Sequence, residues 1–153
     1  MDIDLSGLRG EEVLGHREFT VGPEHATTVF GEQSDPPGLS AAADATPEES
    51  VPVLGTHHLL AACEFTGRES LRGHLPDGTG TLGEAADVSH RRAAPLGTDL
   101  VVETTLDRVA APRLELTGTV RRAGAEDGSV VGTVGMTFRV VSRERFRRSL
   151  DGE

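Results

Sequence analysis

The sequence predicts an α+β domain in which one long helix packs on an antiparallel sheet. Two observations predict it. One segment of helical periodicity, residues 56–75, is followed by four consecutive segments of strand-like alternation, and no helical pattern separates those four. Parallel neighbours need a crossover of about a dozen residues or more, so strands joined by short turns form an antiparallel sheet. The single long helix is then what covers its apolar face. With 153 residues and no internal repeat, the chain reads as one domain over 1–153.

Taken in order, the first element is a short strand over 16–21. Pro23 and Glu24 then suit the first turn of a brief helix reaching residue 30, since Pro is tolerated where no amide donor is needed. The stretch 31–52 carries Asp35-Pro36-Pro37-Gly38, a run of small residues and Pro47-Glu48-Glu49-Ser50. It reads as a long loop, and loops beyond about 12 to 15 residues are lids, binding loops or disordered segments. A lid over a site and plain disorder both fit.

The helix follows, with Thr56 in place to cap its start and Pro76-Asp77-Gly78 to stop it. At about 100° per residue, Leu60, Leu71 and Leu75 fall within roughly 40° of Glu64, which puts a carboxylate on the apolar face. Gly67 interrupts the run and suits close packing against a neighbouring backbone. The four strands then cover about 81–92, 98–109, 113–122 and 129–142. Leu100, Val102, Thr104 and Leu106 share one face, as do Leu114, Leu116, Gly118 and Val120, and again Val134, Met136, Phe138 and Val140. Residues 124–128 read as a hairpin connection. The end of the chain, 143–153, holds Arg143, Arg145, Arg147 and Arg148 and reads as a solvated basic tail.

Composition excludes several functions. Lys and Arg total 15 against 25 Asp and Glu, the net charge is -10, and aromatic residues are 3% with no Trp or Tyr. A nucleic-acid surface wants clustered positive charge and stacking rings, so nucleic acid is not an expected partner. The lone cysteine, Cys63, has no intrachain disulfide partner and reads as a small buried hydrophobe. Asp2 and Asp4 stand where a signal peptide needs basic residues, and no stretch approaches the roughly 20 apolar residues of a membrane span. A soluble, cytoplasmic protein without a membrane partner is expected. His57 and His58 diverge by about 100° on a helix, and with no HxxxH spacing the expectation is no metal and no cofactor.

Three side chains carry possible chemistry. Alternation over the first long strand puts Ala86, Val88 and His90 on one face, so the imidazole points inward with the apolar set. Glu64 on the buried face of the helix needs a partner or a purpose, because unpaired buried carboxylates are rarely tolerated. An acid and an imidazole together can serve as general base and general acid. Equally, Glu64 can be a structural acid paired with His90 or Arg68. Thr56 can be no more than a helix cap, although a helix N-terminus beside it also suits an oxyanion.

These residues bring out a family likeness. Gly55-Thr56, Ala62-Cys63-Glu64, His74-Leu75, Gly80-Thr81-Leu82-Gly83 and the run Val88-Ser89-His90-Arg91-Arg92-Ala93-Ala94-Pro95-Leu96-Gly97 resemble the hotdog-fold thioesterases, and within them the fluoroacetyl-CoA thioesterase type. The likeness spans roughly 16–141 and is firmest over 56–106. It implies a hotdog fold, in which a curved antiparallel sheet wraps the long helix, and a homodimer with active sites near the subunit interface. It also implies an acyl-CoA or acyl-carrier-protein thioester as substrate, with no cofactor besides. The resemblance assigns catalysis to Thr56, Glu64 and His90 and places Gly83 beside the thioester carbonyl.

Two departures bear on the substrate. The fluoroacetyl-specific enzyme carries Phe residues in the lid before the helix, whereas 31–52 here holds no aromatic residue. The family's late Gly-Thr-His-Glu-Arg run stands here as Gly135-Met136-Thr137-Phe138-Arg139, keeping the Gly and Arg139 as a substrate-binding candidate. Thioester hydrolysis is therefore implied without the identity of the acyl group. The alternative is a hotdog protein that binds acyl thioesters without turning them over.

Overall fold

The computed structural model describes residues 3–125 and 129–152; part of the turn expected over 124–128 lies outside the described residues. Five strands form the main sheet: β1 (Leu14–Thr20), β6 (Thr79–His90), β7 (Asp99–Ala110), β8 (Arg113–Arg122) and β9 (Val130–Ser142). Their spatial order is β1-β7-β8-β9-β6, with every neighbour antiparallel. Successive strands β7, β8 and β9 lie side by side, as short connections require. Strand β6 closes one edge of the sheet and β1 the other. The helix α1 (Thr56–Ser70) lies across one face. This is the antiparallel sheet on one long helix that the alternating segments predict, in the hotdog arrangement that the family resemblance implies.

The helix is shorter than its sequence pattern. It ends at Ser70, with Leu71 as C-cap, and Gly73 takes φ +86, a left-handed conformation that suits glycine. Leu71 is buried all the same, so the apolar pattern outlasts the helix. At the other end Gly55, in extended conformation, is the N-cap, and Thr56 is the first helical residue. The hydroxyl of Thr56 does not cap; it is used elsewhere.

Close approach of α1 to the sheet depends on glycines in the strands. A β-carbon on Gly118 would come within 2.6 Å of Cys63 Sγ, and one on Gly132 within 2.5 Å of Leu59 Cδ2. Both helical side chains are fully buried. The buried stripe of α1 is Leu59, Ala62, Cys63, Thr66 and Gly67, and the Thr66 hydroxyl donates to Ala62 O at 2.7 Å, which satisfies it inside the core. Facing them, Leu114, Leu116, Val120, Val134, Met136, Phe138 and Val140 fill the inner face of β8 and β9. The three inward sets read from alternation are thus the core.

The segments before α1 are more structured than their composition implies. Residues 23–30 hold one 3-10 turn, Pro23–His25, and then β2 (Ala26–Thr28), which pairs with β5 (Pro52–Leu54). Within 31–52 a small hairpin joins β3 (Glu32–Ser34) and β4 (Pro37–Leu39). The Gln33 amide holds it down: Gln33 Oε1 accepts from Thr28 N at 2.8 Å, and Gln33 Nε2 donates to Ala26 O at 3.2 Å. One polar side chain here does the work that a hydrophobic core does elsewhere. The basic segment is also ordered, as helix α2 (Arg143–Leu150), with Ser142 Oγ accepting from Arg145 N at 3.3 Å as its N-cap. Among the described residues no helix is long and apolar enough to cross a membrane.

Candidate active site

Thr56, Leu60 and Glu64 recur every four residues, so they form a row that turns by only about 40° per step along α1. The row looks toward the edge strand β6, beside the stripe that enters the core. Glu64 is half-buried at the margin of that stripe and not at its centre. Two polar pairs result.

The first pair joins Thr56 to His90, with Oγ1 and Nδ1 2.9 Å apart. If the hydroxyl donates, the ring carries its proton on Nε2; if Nδ1 donates, Nε2 is a base. His90 Nε2 is itself buried and has no hydrogen-bond partner among the described residues. A buried polar atom in this state calls for a partner, such as a water or a ligand.

The second pair sets Glu64 over Gly83. A β-carbon at Gly83 would lie 3.1 Å from Glu64 Oε1, so the carboxylate rests against bare backbone. Among the described residues Glu64 has no ion-pair or hydrogen-bond partner, neither His90 nor Arg68. The structural pairing left open by the sequence is therefore absent among these residues. Around the carboxylate lies a cleft of about 200 Å³, lined by Leu60, Glu64, Gly83, Glu84, Ala85, Ala86, Met136 and Phe138.

A bulge puts Gly83 and His90 on the same face of β6. Strict alternation would send residues seven apart to opposite faces. The ladder to β9 pairs Gly83 with Phe138 and Ala85 with Thr137, leaving Glu84 as the extra residue. Arg113 clamps it from outside, donating from Nε at 2.8 Å and from Nη2 at 2.9 Å to the two carboxylate oxygens. Those hydrogen bonds hold the Glu84 carboxyl below its ordinary range. Glu84 is thus tied down at the rim, and Glu64 is the carboxylate left over in the cleft.

Other candidates separate from this site. Arg139 pairs with Leu82 and points to the face of the sheet away from Phe138, where it lines a groove with Ile3, Pro112, Arg145 and Phe146. The structure does not bring it to Glu64. Burial pushes the Cys63 thiol up to about 12, which leaves it protonated and unreactive. The His58 ring stacks on His25 at 4.2 Å between centroids, and burial, with the nearby charges of His25 and His57, holds it below the ordinary value of 6.5. No metal-binding cluster occurs among the described residues. Sequence alternation missed the bulge and its Glu84–Arg113 clamp, and the odd separation of Gly83 from His90 is the signal that points to it.

Comparison with known proteins bears on the family and the fold. Residues 39–144 match the profile of the fluoroacetyl-CoA-specific thioesterase family (FlK). No curated protein matches the chain. Among solved structures, a hot-dog-like protein from Thermanaerovibrio acidaminovorans is 21% identical with a TM-score of 0.73, over 97% of this chain and 95% of the other. A point mutant of the fluoroacetyl-CoA thioesterase in complex with acetyl-CoA is 21% identical with a TM-score of 0.70, over 99% and 98%. A Thermus thermophilus protein described as a thioesterase superfamily member is 19% identical with a TM-score of 0.68, over 94% and 96%. These likenesses show the fold.

Proposed function

Because the chain belongs to the fluoroacetyl-CoA-specific thioesterase family, we propose that it hydrolyses a short acyl thioester, of CoA or of a carrier protein, to the free acid and the thiol. The observation that carries this is Glu64, a half-buried carboxylate without a polar partner among the described residues, set against the Gly83 backbone in a cleft floored by Met136 and Phe138. A half-buried carboxylate that no polar group among the described residues engages is left free for chemistry. A solved relative in complex with acetyl-CoA supports the thioester class. The cleft, of about 200 Å³, suits a small acyl group.

In this scheme Glu64 takes a proton from water as the water oxygen bonds to the thioester carbon, or attacks that carbon itself to give an anhydride that water then cleaves, releasing the acid and restoring the Glu64 carboxylate. The carbonyl pair moves onto oxygen, then returns as the C–S bond breaks and sulfur leaves with the bonding electrons. A thiol ionises near about pH 8.5, so the leaving group needs little help and the attack step makes the larger demand. His90 supplies the proton to sulfur or polarises the carbonyl, with Thr56 holding Nδ1 and so the tautomer.

Within one chain the two pairs stand apart, since eight residues of helix between Thr56 and Glu64 rise about 12 Å. A homodimer brings them together. Residues 82–87 of β6 are all exposed on an unpaired edge, a surface suited to pairing with another strand. Antiparallel pairing with β6 of a second copy, centred on Asp87 with Glu84 left out of the count as the bulge residue, sets Gly83 of one chain opposite His90 of the other. Each site then combines Glu64 of one chain with Thr56 and His90 of its neighbour.

Free-thiol release from a panel of two- to eight-carbon acyl-CoAs tests the activity, and mixing Glu64→Gln chains with His90→Ala chains tests the shared site. Release from the short members is expected, as is partial recovery of activity in the mixed dimers. A panel that binds without thiol release points to the binding-only alternative.

A further inference from the structure

Once a thioester carbonyl is held between Glu64 and Gly83, the cleft decides where its two substituents go. The thiol arm is long and polar and takes the solvent-facing direction. The acyl chain takes the remaining direction, onto the buried side chains of Met136 and Phe138. Both sit on β9 with known neighbours: Phe138 lies across from Gly83, and Met136 across from Ala86. Of the two, Met136 is the residue that can move, because it is unbranched and its thioether adapts to irregular space. Phe138 is a rigid ring wedged against α1.

What stops the methionine from lying deeper is also visible. Its Cε comes 3.5 Å from where a β-carbon of Gly67 would stand, and Leu116 Cδ2 comes 3.2 Å from the same point. Gly67 follows Glu64 by three residues on α1, so it lies nearly one turn beyond the carboxylate. The bare glycine makes a notch in the helix, and the end of Met136 reaches into it. A methyl there would press on Leu116, the cross-strand neighbour of Met136, and would fill the notch against the thioether and the Phe138 ring, each at 3.5 Å, so the thioether would lose the room into which it retracts.

We propose that Met136 is the specificity-determining residue for acyl length, with Gly67 as the positioning residue that sets how far it retracts. This rests on the thioester reading of the Glu64 cleft. Shortening residue 136 lengthens the acyl group accepted, and filling the notch at 67 shortens it. The two changes act in opposite directions on one preference, which a general loss of packing does not do.

The experiment measures kcat/KM for acetyl-, butyryl- and hexanoyl-CoA in the wild type, Met136→Ala, Met136→Leu and Gly67→Ala. In Met136→Ala the hexanoyl-to-acetyl ratio is expected to rise about tenfold, the scale on which a hydrophobic pocket discriminates by methylenes. Gly67→Ala is expected to lower the butyryl-to-acetyl ratio several-fold, and Met136→Leu, which conserves volume, to change the hexanoyl-to-acetyl ratio least. The same ratios are read in parallel as affinities for dethia-CoA ketones of matching chain length, measured by calorimetry. If the wild type releases no thiol, hydrolysis fails as the reading while the affinities still judge the pocket. Chain-length ratios that stay constant across Met136→Ala and Gly67→Ala, in rates or in affinities, overturn the proposal.

Discussion

Two rows of side chains run along the same helix and meet opposite fates. Leu59, Ala62, Cys63, Thr66 and Gly67 are sealed against β8 and β9, at a spacing so close that Gly118 and Gly132 tolerate no side chain. Thr56, Leu60 and Glu64 turn instead toward the edge strand, where one imidazole nitrogen and one carboxylate lack partners among the described residues. The first row satisfies every demand of folding. The second leaves demands open, and the difference separates what holds the protein together from what it is for.

Breaking the second row should cost activity and little else. Replacing Glu64 by Gln keeps size and shape but removes the base, so hydrolysis should fall by about 10²- to 10⁴-fold with an unchanged unfolding midpoint. A midpoint that drops along with the rate would reassign Glu64 to structure. His90→Ala should follow closely, and Thr56→Val, which keeps volume but frees the ring, should lose about tenfold while kcat falls more than KM rises.

Breaking the first row should do the reverse. Gly118→Ala forces a methyl toward Cys63 and should lower stability by about 1–3 kcal/mol in urea titrations, while kcat per folded molecule stays constant. Cys63 offers a gentler probe. With its thiol pushed up to about 12, a disulfide reagent at pH 8 should label it only as fast as the core opens, and at once in denaturant.

The smallest effect belongs to His58, at the start of α1. Its folded value lies below 6.5 because burial and the charges of His25 and His57 disfavour the cation, while Glu24 opposes this and Arg17 adds to it. The unfolded chain therefore takes up the proton first, and stability present above pH 6.5 is lost as pH falls through the lower, folded value. Thermal midpoints recorded from pH 7.5 to 5 should fall less steeply in His58→Gln than in the wild type. Equal slopes would show that other groups dominate.

Much of this was legible in the sequence, and the reasons differ by region. Strands β7, β8 and β9 announced themselves because one buried face imposes a period of two, as in Leu114, Leu116, Gly118 and Val120. Residues 31–52 did not, since the β3–β4 hairpin rests on the hydrogen bonds of Gln33 and not on any apolar pattern. The wheel placed Glu64 among Leu60, Leu71 and Leu75, yet Leu71 lies beyond the helix and the packed stripe centres on Leu59 and Cys63. Glu64 is on the border for that reason, and a border position is where a carboxylate can be half-dry without being trapped. By pattern the Thr56 hydroxyl reads first as a cap, whereas Gly55 is the N-cap and Thr56 Oγ1 lies 2.9 Å from His90 Nδ1.

The bulge at Glu84 carries a consequence for how this chain tolerates changes in length. A ladder counts its residues modulo two, and Gly83 and His90 stand an odd number apart, so the extra residue is what makes their parities agree. Adding or removing one residue between Ala85 and Ser89 would reverse that agreement and turn an inward group outward even with perfect pairing. Adding two would preserve it. Length variation in this strand is thus constrained twice: a step of one turns a face, and a step of two keeps the face but moves one group about 7 Å along the strand, out of reach of its partner on the helix.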